Sequence, residues 1–271
     1  MFMILPCVLS LAALSAIMAG AWLVARVPGR SGWIDAVWSL AVGLVGAGAA
    51  LVPLDGGIEP RQGLVAGMVA LWALRLGGHI ALRTAGHGDD PRYAELRKAW
   101  GNRFAVRLFL FLQIQAVAAW LLVVCVTLAA HRPAPFPAWN DGAGALLLVI
   151  AVLGEGLADA QLRAFRRRPT HRGGICESGL WGLSRHPNYF FEWLGWIAYA
   201  LIAIGPDGSW WPGWMALGGP VFMYWLLVHV SGIPPLEAHM LRSRGDAYRA
   251  HQKRVNAFWP FPRKPSSGAR R

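Results

Sequence analysis

Residues 104–129 read FAVRLFLFLQIQAVAAWLLVVCVTLA. The stretch is long enough to cross a bilayer core of about 30 Å as a helix, which takes roughly 20 apolar residues. Its one charge, Arg107, lies within a turn of one end. Windows of the same kind fall near 2–25, 33–53, 62–82, 143–163, 189–205 and 213–233. Of the 271 residues, 55% are hydrophobic and only 15% charged, with mean hydropathy +0.39. A soluble domain carries about 25% charged residues. The sequence therefore predicts an all-α, polytopic integral membrane protein with seven transmembrane helices, as a single domain over 1–271. No internal repeat interrupts it. The first window lacks a basic n-region and is too long for an ordinary signal-peptide h-region, so it reads as a span.

Charge placement orients the spans. With seven spans, 22 of the 26 Lys and Arg fall in the first, third and fifth loops and after the last span, all on one side. The opposite loops hold Arg61 and Arg132 alone. The positive-inside rule then predicts an outside N-terminus and a cytoplasmic C-terminus. The net charge of +12 is accounted for by topology and anionic lipid headgroups rather than by nucleic acid, for which no motif is present. The lipid bilayer is the expected partner, and no obligate protein partner is implied. Cys7, Cys125 and Cys176 are isolated, and no Cys/His set has metal-ligand spacing. Most Trp residues read as interface anchors.

Polar residues inside or beside the spans are the candidate functional groups, because a bilayer penalises them heavily. The densest run is Arg185-His186-Pro187-Asn188-Tyr189 with Glu192, at the opening of the sixth span. Pro187 suits a first helical turn, and Arg185, Asn188, Tyr189 and Glu192 are spaced to share one helix face. A cation, an amide, a phenol and a carboxylate on one face suit a polar cofactor. The fifth span ends in a second stripe, Glu155, Asp159, Arg163 and Arg166, which reads as a site or as mutually supporting ion pairs. The basic loop 166–174 could hold phosphates. In the third span Arg75, His79 and Arg83 follow an i, i+4, i+8 stripe that leads into Asp89-Asp90-Pro91-Arg92-Tyr93. Asp35, just inside the second span, is either a first-turn carboxylate favoured by the helix dipole or a cavity-facing proton donor. The segment 234–271, with Glu237, Tyr248 and Arg249, reads as a cytoplasmic amphipathic helix, a lid over a cofactor, or both.

The stretch Gly179-Leu180-Trp181-Gly182-Leu183-Ser184-Arg185-His186-Pro187-Asn188-Tyr189-Phe190-Phe191-Glu192 resembles the C-terminal signature of the steroid 5α-reductase family, in its bacterial branch. The likeness extends to Asp35–Trp38, the segment around Arg75, Asp89–Tyr93 and the closing 248–260 stretch. The resemblance implies seven helices in a bacterial inner membrane and NADPH bound from the cytoplasmic side. It also implies reduction of a carbon–carbon double bond conjugated to a ketone, in a steroid-like or other hydrophobic enone. On that resemblance Asn188 and Glu192 match the residues that meet the nicotinamide half, Asp159 matches a cofactor-binding Asp, and Arg163 and Arg166 fall where arginines meet the adenosine phosphates. For the family's carbonyl-polarising acid and tyrosine, Asp35 and His79 are the nearest groups in the corresponding spans. Tyr189 and Glu192 join them as catalytic candidates. Arg75, Arg83, Asp90, Arg92, Tyr93, Arg172, Arg185, His186, Tyr189, Glu237 and Arg249 complete the candidate cofactor contacts. No metal is implied. The Arg-His-Pro-x-Tyr core is shared with isoprenylcysteine methyltransferases, which use S-adenosylmethionine. A non-catalytic lipid transporter is the remaining alternative.

Overall fold

The computed structural model describes residues 4–27, 30–53, 57–85, 91–168, 170 and 173–262. The described chain is helical, with no strand and a single parallel β-bridge between Ser184 and Asn256. The helices are α1 (Ile4–Ala25), α2 (Trp33–Ala50), α3 (Pro60–Ala85), α4 (Pro91–Trp100), α5 (Phe104–Ala130), α6 (Trp139–Arg167), α7 (Pro187–Ile204), α8 (Gly218–Trp225) and α9 (Ile233–Arg254). Short 3-10 segments precede α5, α7 and α8, and a π-helical turn (Leu226–Val230) follows α8. Among the described residues, six stretches are long and apolar enough to cross a membrane, namely Leu5–Ala25, Trp33–Ala50, Pro60–Ala85, Arg92–Ala130, Trp139–Arg167 and Trp211–Arg254. The chain is thus built as an integral membrane protein. The window near 189–205 forms α7, but its opening Pro-Asn-Tyr and Glu192 leave it outside that set.

The chain divides into two compact units, Met1–Ala145 with Tyr199–Gly219, and Leu146–Ala198 with Pro220–Arg271. In the first unit, α2 packs on α3 through small residues. A Cβ on Gly43 would lie 2.1 Å from the Ala73 Cβ, and one on Gly77 would lie 2.7 Å from Leu40. Lipid offers no hydrophobic drive for helices to associate, so close backbone approach supplies the attraction. Helices α1 and α5 are tied at both ends. The Trp22 indole donates to the Ala105 carbonyl and the Trp120 indole to the Cys7 carbonyl, each at 2.8 Å, which makes the pair antiparallel. Trp38 likewise donates to the Gln115 carbonyl of α5 at 3.0 Å. These three tryptophans therefore join helices. An indole N–H away from water needs an acceptor, and a neighbouring backbone carbonyl provides one.

The first unit also contains an ionic cluster that the sequence reading treated as ordinary loop charge. Arg61 is completely buried, and its Nε and Nη2 donate to the two Asp141 carboxylate oxygens at 3.0 and 3.1 Å. Its remaining hydrogens go to the carbonyls of Arg132, Ala134 and Pro135 at 2.7–2.8 Å. Arg132 adds a bond to Asp141 at 3.2 Å, and Asn140 donates to the carbonyls of Leu201 and Ile202. Two cations around one carboxylate hold residues 131–141 against the start of α3.

In the second unit, α6 and α7 meet through Gly154 beneath the Phe191 ring and Gly195 beside Leu148 and Ala151. Helix α9 is kinked at Gly245, whose φ of 52° and ψ of −124° favour a residue without a Cβ. After α9 the chain returns along the start of α7. Arg185 N–H donates to the Asn256 carbonyl at 2.9 Å, and Ser184 Oγ lies 3.1 and 2.9 Å from the Ala257 and Phe258 carbonyls. Phe258 and Trp259 then pack against Phe190, Trp193 and Tyr224 with ring centroids 5.2–6.2 Å apart, edge-on except for the tilted Tyr224–Trp259 pair.

Candidate functional site

Helix α7 begins at Pro187, so the proline occupies the first helical position that its missing N–H favours. The preceding turn is fixed by Ser184, whose Oγ accepts the His186 N–H at 3.1 Å. This boundary changes the reading of Arg185, which was expected to share a helix face with Asn188, Tyr189 and Glu192. Arg185 lies before the helix and turns toward α9. Its Nε donates to Glu237 Oε1 at 2.7 Å, and its Nη1 donates to the carbonyls of Gln252 (3.2 Å) and Val255. With carboxylate and carbonyl acceptors in reach, the guanidinium folds back onto the protein.

Glu237 is the hub of this cluster. His186 Nε2 lies 3.3 Å from Oε1, the Gln252 amide donates to Oε2 at 2.7 Å, and the buried Tyr248 side chain lies beside the carboxylate. The His186 ring stacks on Tyr189 at 5.5 Å and 9°. Next to this group, Glu177 takes Arg254 Nη2 at 2.8 Å and faces His251 Nδ1 at 3.3 Å. One turn into α7, the buried Glu192 accepts the Trp196 indole N–H at 3.0 Å.

On α6, Asp159, Arg163 and Arg166 share one face, Asp159 half-buried and both arginines exposed. The opposite face, with Gln161, Ala164, Phe165 and Arg168, lines a cleft of about 500 Å³ closed by Ile175, Glu177 and Ser178. At 3.6 residues per turn the polar stripe and the cleft look in different directions.

A second group forms within the first unit. Asp35 stands in the first turn of α2. Its Oδ1 accepts the Tyr93 hydroxyl at 3.3 Å, and its Oδ2 is paired with Arg92. Tyr93 is buried, and the Gln115 side chain of α5 lies beside the phenol. A carboxylate from α2, a cation and phenol from α4 and an amide from α5 thus converge. Thr84 Oγ1 donates to the Gly32 carbonyl at 3.2 Å and ties the end of α3 to the start of α2. Arg75 and His79 are half-buried along α3, and Arg83 is exposed near its end.

The structure therefore gathers Arg185, His186, Tyr189 and Glu237 in one cluster and Asp35, Arg92 and Tyr93 in another. Arg249 is a surface residue, bonded to Asp246 at 2.7 Å with both side chains largely exposed. Asp90 and Arg172 lie outside the described residues. Sequence reasoning passed over Gln115, Gln252 and Glu177. Gln115 had a usable signal, a glutamine inside the most apolar window. Glu177 had none, since its partners His251 and Arg254 lie far along the chain, and Gln252 meets Glu237 across the kink in α9, which no periodicity marks.

Neither the curated proteins nor the solved structures gave a match. A family model described as "Protein of unknown function (DUF1295)" matches residues 21–255. That span takes in both polar clusters and all nine helices in whole or in part, and the chain belongs to this family.

Proposed function

We propose that this protein is a membrane-embedded, NADPH-dependent reductase that saturates the double bond of a 3-oxo-Δ4-steroid or similar lipidic enone. The observation that carries the reading is the Tyr93–Asp35 pair, a phenol held by a carboxylate at 3.3 Å. An acid and a tyrosine are what the resemblance requires to polarise the substrate carbonyl, and Tyr93 supplies the phenol that no residue of the third span offered. The likeness of residues 179–192 to the reductase signature supports the cofactor half.

NADPH, when bound, supplies hydride to the β-carbon of the enone. Negative charge then collects on the carbonyl oxygen, where a hydrogen-bond donor stabilises the transition state, typically by about 10²–10³-fold in rate. The Tyr93 hydroxyl is that donor. It has one hydrogen, so when it turns from Asp35 to the carbonyl, Arg92 keeps the carboxylate paired and the packing around the buried ring keeps the phenol in place. A proton from water completes addition at the α-carbon. Arg163 and Arg166 are exposed cations suited to phosphate oxygens, including a 2′-phosphate. Asp159, Asn188 and Glu192 offer acceptors and a donor for the ribose and carboxamide groups. Arg185 and Glu237 are already consumed by one another and position the start of α7. The seven-span topology belongs to the same reading, with α7 as the additional span, the N-terminus outside and the C-terminus in the cytoplasm.

The test is NADPH oxidation by the detergent-purified protein with a 3-oxo-Δ4-steroid, alongside thermal stability with NADPH, NADH or S-adenosylmethionine. Selective stabilisation by NADPH and steroid-dependent turnover are expected. Tyr93→Phe is expected to lower kcat by about 10²-fold with NADPH stabilisation unchanged. Stabilisation by S-adenosylmethionine alone would replace the reductase reading with the methyltransferase one.

A further inference from the structure

Helix α5 presents Val106, Leu110, Ile114, Val117 and Leu121 at 38–66% exposure. Their spacing follows i, i+4, i+8, i+11, i+15, which keeps all five on one helix face. From Leu110 to Leu121 the residues of this face are apolar, and they lie within a stretch apolar enough to span a membrane. Continued toward the start of the helix, the same face reaches Arg107 and then Arg103, both exposed. No carboxylate stands in the first turn of α5 to neutralise them. Two further exposed cations come from α4, Arg97 and Lys98, and Arg97 lies over the Phe104 ring at 4.4 Å. The stretch 97–107 contains three Arg and one Lys, namely Arg97, Lys98, Arg103 and Arg107, and no acidic residue.

We propose that this face is a binding site for an anionic phospholipid, with its phosphate held by Arg103 and Arg107 and its acyl chains laid along the stripe down to Leu121. The chemistry is complementary at both ends. Cations at the interface attract a negatively charged headgroup, and the apolar stripe begins within one turn of them, where the acyl chains begin. Long arginine side chains at a span end reach the headgroup level while their stems stay with the apolar surface. A zwitterionic lipid offers the same phosphate but no net negative charge, because its own ammonium offsets the attraction of the two cations. The site is independent of the reductase reading, because none of its residues belongs to the Asp35–Tyr93 group or to the candidate cofactor contacts.

The experiment compares the full-length protein with the Arg103→Gln/Arg107→Gln double variant. Both side chains are exposed, so the variant is expected to fold, and Arg103→Lys/Arg107→Lys serves as a charge-preserving control. Native mass spectrometry and thermal stability are read during titration with phosphatidylglycerol, phosphatidylcholine or inorganic phosphate. Retention of phosphatidylglycerol over phosphatidylcholine is expected for the natural protein and the Lys control. The Gln variant should lose affinity by about thirtyfold, since each interfacial cation is worth roughly fivefold. Equal retention of both lipids, an equal response to inorganic phosphate, or unchanged selectivity in the Gln variant would overturn the proposal. A dimer that excludes lipid from the natural protein would assign the face to a second copy instead.

Discussion

Arg185 and Tyr93 show how far a residue's chemistry depends on what acceptor lies in reach. Arg185 was expected to meet a cofactor, yet its hydrogens go to Glu237, Gln252 and Val255. Removing it leaves a largely buried carboxylate with Gln252 and His186 as its bonding partners, and breaking a buried pair from one side costs up to about 3–5 kcal/mol when nothing compensates the charge. Arg185→Ala should therefore lower the melting temperature clearly, while Arg249→Ala, at an exposed pair with Asp246, should leave it nearly unchanged. Equal effects in a thermal melt would remove Arg185 from its structural role. The same logic holds for Arg61, whose loss would leave Asp141 buried beside a single cation. Tyr93 is the converse case. It was expected among the cofactor contacts, and its hydroxyl donates to Asp35.

At the level of elements, the helix windows were legible because a bilayer demands length and apolarity, both visible in sequence. Pro187 at the start of α7 was legible for a local reason, the geometry of a first turn. The packing partners were not. Gly43 and Gly48 look alike in the sequence of α2, but a Cβ on Gly43 would meet Ala73 at 2.1 Å and one on Gly48 would meet nothing within 4 Å. Gly43→Ala should destabilise by about 1–3 kcal/mol through overpacking. Gly48→Ala should be neutral or stabilise slightly, because alanine gives up less entropy in a helix. Melting both variants in the same detergent checks the contrast. If Gly43→Ala is silent, the close α2–α3 contact is not what holds those helices together.

At the scale of the whole molecule, the uneven distribution of Lys and Arg leads to a specific topology, which a reporter active only on one side of the membrane can read. Fused after Arg271, a reporter that requires the cytoplasm should be active and one that requires the outside should be silent; the reverse pattern would sink the cytoplasmic C-terminus. Composition, hydropathy and charge placement by themselves determined that this chain is helical, membrane-embedded and polar at the start of α7. Those properties are set by solvent and by neighbours within a turn or two, so they are written locally. Only the tertiary structure decided that Glu237 receives Arg185 and His186, that Tyr93 leans on Asp35, and that Arg61 and Arg132 share Asp141. Each of those bonds joins residues from different helices or loops. No periodicity encodes such a pairing, since it is selected by the cost of leaving a buried charge or hydroxyl unsatisfied once the helices have packed.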